Sequence, residues 1–300
     1  MSWVSRNLTV IILGTFALQA QTTHRSLSSI FASHLASGIA RADTLTLAPT
    51  IRATQPVLQA FLGGQRLSSG TWVEIYGENF AAEKKDWSGL FNLDMAPTSI
   101  DETRVTIDGK PAYLFFITPA ADGRPSQINA LVPDGVGLGN NVVLEVITPA
   151  GRASTTVTVS AITPAMLTTP TFNVEGRQYV AALHADNTTF VGRTGLVTGA
   201  AFRPAKPGDV IIIYAVGCGP TDPPTTAGKV VAGLVRVTSP IQVLFGQTPA
   251  TSAQGFMSAG AIGLCQLNVT VPNVPDGDIA ITTSIGGAAD GQNLFTTIQR

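Results

Sequence analysis

A chain that states one strand-and-turn pattern twice, at a single spacing, has few folds open to it. In this sequence of 300 residues, Gly70–Phe80 ("GTWVEIYGENF") lies over Gly208–Cys218 ("GDVIIIYAVGC") at an offset of 138. Val105–Ala112 lies over Val243–Ala250 at the same offset, and Gln127–Pro133 ("QINALVP") over Gln266–Pro272 ("QLNVTVP") at 139. Three blocks in order, within one residue of constant spacing, mark an internal duplication. Its long period means two domains rather than a solenoid of small units. Each block alternates apolar and other residues and ends in turn residues, as a half-buried strand does. Pro133 and Pro272 fall just past a strand, where the missing N–H breaks no ladder. Five to seven such runs per repeat predict two tandem antiparallel β-sandwiches of all-β class.

Composition agrees. Charged residues are 12% of the chain while Gly (30) and Pro (19) are plentiful, which suits short strands and tight turns. Helix signals are weak; "AAEKKDWSGLF" (Ala81–Phe91) holds a turn of helix at most. The net charge is −1 with no long run of either sign, so nothing points to nucleic acid. Arg6 precedes the apolar run Leu8–Ala20, too short to span a bilayer and suited to a signal-peptide core. Cleavage after Ala20, or after the small-x-small "ARA" ending at Ala42, is expected. The division is therefore 1–20 signal peptide (or to 42), 21–54 a partly disordered leader and linker, 55–162 the first sandwich, and 163–300 the second. The second opens with an insert, roughly Thr168 to Phe202, read as a β-hairpin around Asp186-Asn187 that bridges the sandwiches. The expected setting is secreted or cell-surface, with no membrane span once the signal is removed.

The blocks "LSSGTWVEIYGENFA", "APTSIDETRVTIDGKPAYLFFITPAADGRPSQINALVPD", "KPGDVIIIYAVGCGPTDPP" and "GLCQLNVTVPNVPDGDIAITTSIGG" resemble a family of uncharacterised extracellular modules abundant in Acidobacteria, notably Solibacter-type species. Those modules are similar to the Ig-like IPT/TIG sandwich. The resemblance covers about residues 55 to 300. It implies an Ig-like fold and an extracellular setting, and it brings no catalytic residues with it.

Cys218 falls on Phe80 of the first repeat and Cys265 on Ser126. Both changed to Cys in one repeat only, the pattern a contacting pair produces, and in an exported chain two such residues are read as a disulfide. Two unpaired buried thiols are the alternative. Gln127, Asn129, Gln266 and Asn268 repeat with the scaffold. Side-chain amides at a strand end hold backbone more often than they hold sugar hydroxyls, so these are read as structural. His184 has no G-x-S-x-G elbow beside it and is read as an exposed hairpin histidine. "GCGPTDPPTTAGKV" lacks the phosphate-loop spacing. Asp276 and Asp278 beside Gly277 are read as a turn rather than a cation site. Asn187 and Asn268 head N-x-T sequons, incidental in a bacterial host. Trp87 in "KKDWSG", then Trp72, with Tyr76 and Tyr113 behind them, are the candidates for stacking on a glycan.

These readings predict an exported non-catalytic Ig-like protein for adhesion, assembly or protein interaction, with no cofactor or metal. Its partners are an extracellular protein or polysaccharide. A carbohydrate-binding module protein is the second reading, and a hydrolase built on His184 or a carboxylate pair the third.

Overall fold

The computed structural model describes residues 47–300, so the expected signal peptide lies outside the described residues. It shows two tandem Ig-like antiparallel β-sandwiches, and no helix occurs among the described residues. Ala81–Phe91, allowed a turn of helix at most, is loop with the two-residue strand Lys85–Asp86. Gly89 at φ 76° and the apolar run that follows suit turns rather than a helical face.

In the first sandwich, Trp72–Glu78 and Tyr113–Thr118 flank Ser126–Leu131 in one sheet, and Thr103–Ile107, Gly139–Thr148 and Gly151–Val159 form the other. Val73, Ile75, Ile128 and Ala130 point inward from the first sheet and Val105, Ile107, Leu144 and Val146 from the second, all essentially fully buried. Period-2 alternation on both sheets is what builds such a core. Thr50–Ile51, inside the segment read as linker, already pairs with Gly77–Glu78.

The second sandwich repeats this arrangement residue by residue. Ile75 pairs with Ile128 and Ile213 with Leu267; Tyr76 pairs with Gln127 and Tyr214 with Gln266; Gly77 pairs with Ser126 and Ala215 with Cys265. The offsets of 138 and 139 are thus the register of one sheet written twice. On the next strand, Asn129 opposes Phe116 and Asn268 opposes Gln254.

The insert is two hairpins, not one. Thr168–Val174 and Arg177–Val180 turn at Glu175-Gly176, both at positive φ (53° and 79°). That hairpin lies along Leu294–Ile298 in one sheet. Ala182–His184 and Phe190–Val191 turn through Asp186-Asn187, and Ala182–His184 pairs with Ile211–Ile213 in the other sheet. The single chain segment therefore adds a strand to each sheet of the second sandwich. Only the Asp-Asn turn matches a familiar hairpin signal; Glu-Gly takes positive φ at both residues, where the other turn needs it only at Asn187, yet has the weaker signature.

The two sandwiches are tied side by side. Gln59 Nε2 donates to Thr163 O (2.9 Å), Trp72 Nε1 to Ile262 O (3.1 Å) and Gln292 Nε2 to Phe61 O (3.0 Å). Phe61, Leu62 and Trp72 pack against a second-half cluster that includes Leu167, Tyr179 and Leu264. Gly228, at φ 79°, sits so close to the Tyr113 ring that a Cβ there has no room.

Candidate functional site

The loop Gly217–Lys229 crosses from the second sandwich to the first and walls a cleft of about 430 Å³ between them. Ser69, Gly70 and Asp134 line it from the first half; Gly217, Gly219, Thr221, Thr225, Thr226 and Lys229 line it from the second, and both cysteines reach its floor. Asp134 holds the two sides together. Its carboxylate accepts from the Ser69 hydroxyl and, at 2.7 Å, from the Ala227 N–H across the junction. Below the cleft, the tight turn Asn92–Met95 docks on the same loop: Ala96 N–H donates to Gly228 O and Val230 N–H to Asp94 O, both 2.8 Å, with Lys229 to Asp94 at 3.3 Å. A cleft braced this way is preformed, and a preformed site loses less entropy on binding than one that must be ordered.

Cys218 and Cys265 form a disulfide with a Cα separation of 6.6 Å, inside the range a bridge accepts. Its two cysteines stand at the repeat positions of Phe80 and Ser126 in the first sandwich.

The repeated amides meet each other. Gln127 Nε2 donates to Asn129 Oδ1 (2.6 Å), and Gln266 Nε2 to Asn268 Oδ1 (2.7 Å). These side chains stand on the sheet face opposite the sandwich core. In the first half that face is also buried, and it carries a residue the second half lacks there. Glu74, 6% exposed, pairs with Asn129 where Ile212 pairs with Asn268. Glu74 Oε2 accepts from the Tyr76 hydroxyl, and Oε1 is buried without a partner. Burial pushes the Glu74 carboxyl above its ordinary range, against the Tyr76 hydrogen bond and the charge of Arg52, whose guanidinium lies 4.2 Å over the Tyr76 ring. The sequence marked the amides but not Glu74, because a lone Glu on a strand reads as a solvent-facing residue.

Trp87 and Trp72 lie 5.7 Å apart, edge to face, and Phe115 contacts both. Trp72 is engaged by Ile262 O at the junction, and Trp87 packs toward the first core and against Phe91. Tyr113 lies under Gly228. Trp87, Trp72 and Tyr113 are thus gathered into one half-buried cluster, while Tyr76 stands apart beneath Arg52.

His184, expected to be exposed, is 2% exposed. Its strand sits against Ile211–Ile213, and its Nε2 lies 3.0 Å from Arg203 O, so the ring serves a backbone carbonyl. Asp186 caps the turn through the Thr188 and Thr189 N–H groups. Asp278 is a hub: it accepts from the Tyr179 and Thr297 hydroxyls, both 2.6 Å, and from Arg177 at 3.1 Å. Burial raises its carboxyl, and these bonds with the Arg193 charge outweigh that and hold it below its ordinary range. Asp276 instead approaches Arg300. Among the described residues, no group of three or more His, Cys, Asp or Glu is placed to hold a metal ion.

No family model matches the chain, and no curated protein matches it. Among solved structures, the chain is similar to the Bacteroides ovatus SGBP-B of a mixed-linkage glucan utilization locus, in complex with a heptasaccharide. That likeness has 13% identity, 84% of this chain, 46% of that one and a TM-score of 0.33. It is also similar to the Escherichia coli adhesin FdeC (13% identity, 85% and 67% covered, TM-score 0.23) and to the plexin A4 extracellular region (14%, 93% and 20%, 0.26). The chain spans less than half the length of the glucan-locus and plexin structures. Overlaps this loose carry no argument about activity; the fold rests on the strand register described above.

Proposed function

We propose that the chain is an exported, non-catalytic pair of Ig-like sandwiches that binds an extracellular protein in adhesion or assembly, through the cleft at their junction. The observation that carries this reading is the cleft itself: a braced hollow of about 430 Å³ that needs both repeats to exist. The division at 55–162 and 163–300, the leader ending at Ala20 or Ala42, and membership of the Acidobacteria-type family belong to the same proposal. Chemistry at the cleft is disfavoured by its lining. Asp134 is its single carboxylate and is already engaged by Ser69 and Ala227, whereas glycoside hydrolysis needs two opposed carboxyl groups.

A polysaccharide is the second reading, favoured by the hydroxyls of Ser69, Thr221, Thr225 and Thr226 around that carboxylate. The test is retention of the secreted chain on cell-envelope protein and, separately, on insoluble polysaccharides. Thr226→Trp, which fills the cleft, and Trp87→Ala run alongside. Protein retention lost with Thr226→Trp supports the first reading. Glycan retention lost with Thr226→Trp supports the second, and loss with Trp87→Ala alone moves the site to the aromatic cluster. No retention of either kind refutes both.

A further inference from the structure

The two sandwiches close the same sheet edge differently. In the first, Leu67 pairs with Val159 in parallel and Ser160 N–H donates to Leu67 O (2.8 Å). Ala205 does the same on Ile298, with Gln299 N–H donating to Ala205 O (2.9 Å). Beyond that shared clasp the second sandwich goes further: the insert strand Arg177–Val180 runs along Leu294–Ile298, Tyr179 beside Phe295. The first sandwich has no insert. Its strand Gly151–Val159 pairs on one side with Gly139–Thr148 throughout, and on the other only at Thr158–Val159.

Arg152 to Val157 therefore present an open edge. Thr158 N–H points outward to Gln65 O, so alternation along the strand sends the N–H groups of Thr156 and Ser154 the same way. No strand among the described residues pairs with them. Natural edges are blunted by lysine, proline, bulges or a covering segment; this one has Ala48 and Pro49 against Gly151 at one end and a register shift opposite Val157–Val159 at the other, and between them it reads "ASTTV" and is regular. Its charges lie at its ends, both exposed: Arg152 at one, where it also reaches Glu145 on the neighbouring strand (3.3 Å), and Arg66 beside Thr158 at the other.

We propose that this edge accepts an extended segment of the protein partner by strand addition, the segment being uncharged in the middle with carboxylates at its ends. The second sandwich supplies the precedent, since an extended segment already occupies the matching edge there. Backbone bonds would give affinity and the two arginines the choice of partner. A second copy of this chain fits less well, because antiparallel self-pairing brings Arg152 of each copy toward Arg66 of the other. The inference rests on the protein-interaction reading above.

The experiment follows amide hydrogen exchange at Ser154 and Thr156 in the secreted chain. A capped Asp-Thr-Val-Thr-Val-Thr-Asp peptide is added, with a Lys-flanked version as control. The expected result is fast exchange in the free chain, slowed about tenfold or more by saturating acidic peptide and less by the basic one at low salt. Thr156→Pro should abolish the slowing without unfolding the chain, since the N–H it removes points away from the sandwich's own ladder. Thr226→Trp should leave the slowing intact, which separates failure at the edge from failure at the cleft. Unchanged exchange overturns the proposal. Slow exchange in the free chain at every concentration overturns it in favour of the chain's own residues before Leu47, since Ala48 lies against Gly151. Protection that grows with protein concentration overturns it in favour of a second copy.

Discussion

The strand pair Trp72–Glu78 with Ser126–Leu131 and its copy Val210–Val216 with Cys265–Thr270 share a register, a tyrosine and an amide pair, yet they differ at a few informative places. Gly77, Phe80 and Ser126 in the first become Ala215, Cys218 and Cys265 in the second. A Cβ on Gly77 would run into Thr50 O and meet the Phe80 ring at 2.5 Å; the second copy, with a cysteine in place of the ring, carries an alanine there. One copy fills the site with an aromatic ring, the other with a covalent bond. Elsewhere the first copy buries Glu74 where the second has Ile212. The shared fold does not require a carboxylate there, so its desolvation is a cost peculiar to the first copy.

The sharpest way to break this comparison is to remove the covalent member. Cys218→Ser with Cys265→Ser should destabilise the second sandwich by roughly 4 kcal/mol on the loop-entropy argument for residues 47 apart, and leave the first untouched. Denaturant unfolding followed by residue-specific exchange should show the second sandwich melting at lower denaturant than the first. Next comes the left-handed residue after each strand, Asn79 at φ 59° and Gly217 at φ 68°. Gly217→Asn should cost about 2 kcal/mol, because its Cβ would run into Thr163 O, whereas Asn79→Gly should be nearly neutral.

Glu74→Ile tests whether the first copy tolerates what the second already has. It should stabilise by about 1–2 kcal/mol at neutral pH. Because the folded carboxyl is held above its unfolded value, the wild-type chain binds the proton more tightly when folded. Its stability should therefore fall as pH rises past the ordinary carboxylate range and through the folded value, and Glu74→Ile should flatten that slope. Thermal melts from pH 4 to 8 check the sign. The smallest effect concerns the amides. Gln127→Ala, on a buried face, should cost about 1–1.5 kcal/mol, and Gln266→Ala, on a half-exposed one, under about 1 kcal/mol. Equal losses would show that the two faces are not distinguished by burial.

Much of the fold is legible in the sequence because duplication makes a chain its own alignment. The offsets alone bring the two Tyr–Gln pairs into correspondence, and the coincident change at Phe80 and Ser126 points to the bridge. What stays hidden are the properties of faces. Alternation shows that Glu74, Gln127 and Asn129 leave the core, but not that the outer face is covered as well. His184 reads as exposed beside an Asp-Asn turn, and a neighbouring strand buries it. The junction cleft is illegible for the same reason: Asp134 and Ala227 are far apart in sequence, and nothing local to either announces the other.

The covalent link between Cys218 and Cys265 also decides how the molecule survives proteolytic nicking. The stretch of the cleft-walling loop beyond Cys218 lies wholly between those residues, so a peptide bond cut anywhere along it leaves two fragments still joined through sulfur. They would migrate as one species until reduced. The corresponding stretch of the first sandwich, between Phe80 and Ser126, includes the turn that projects Leu93 into solvent, and no such tether spans it. A single cut there severs the chain and leaves only non-covalent contacts to hold the halves together.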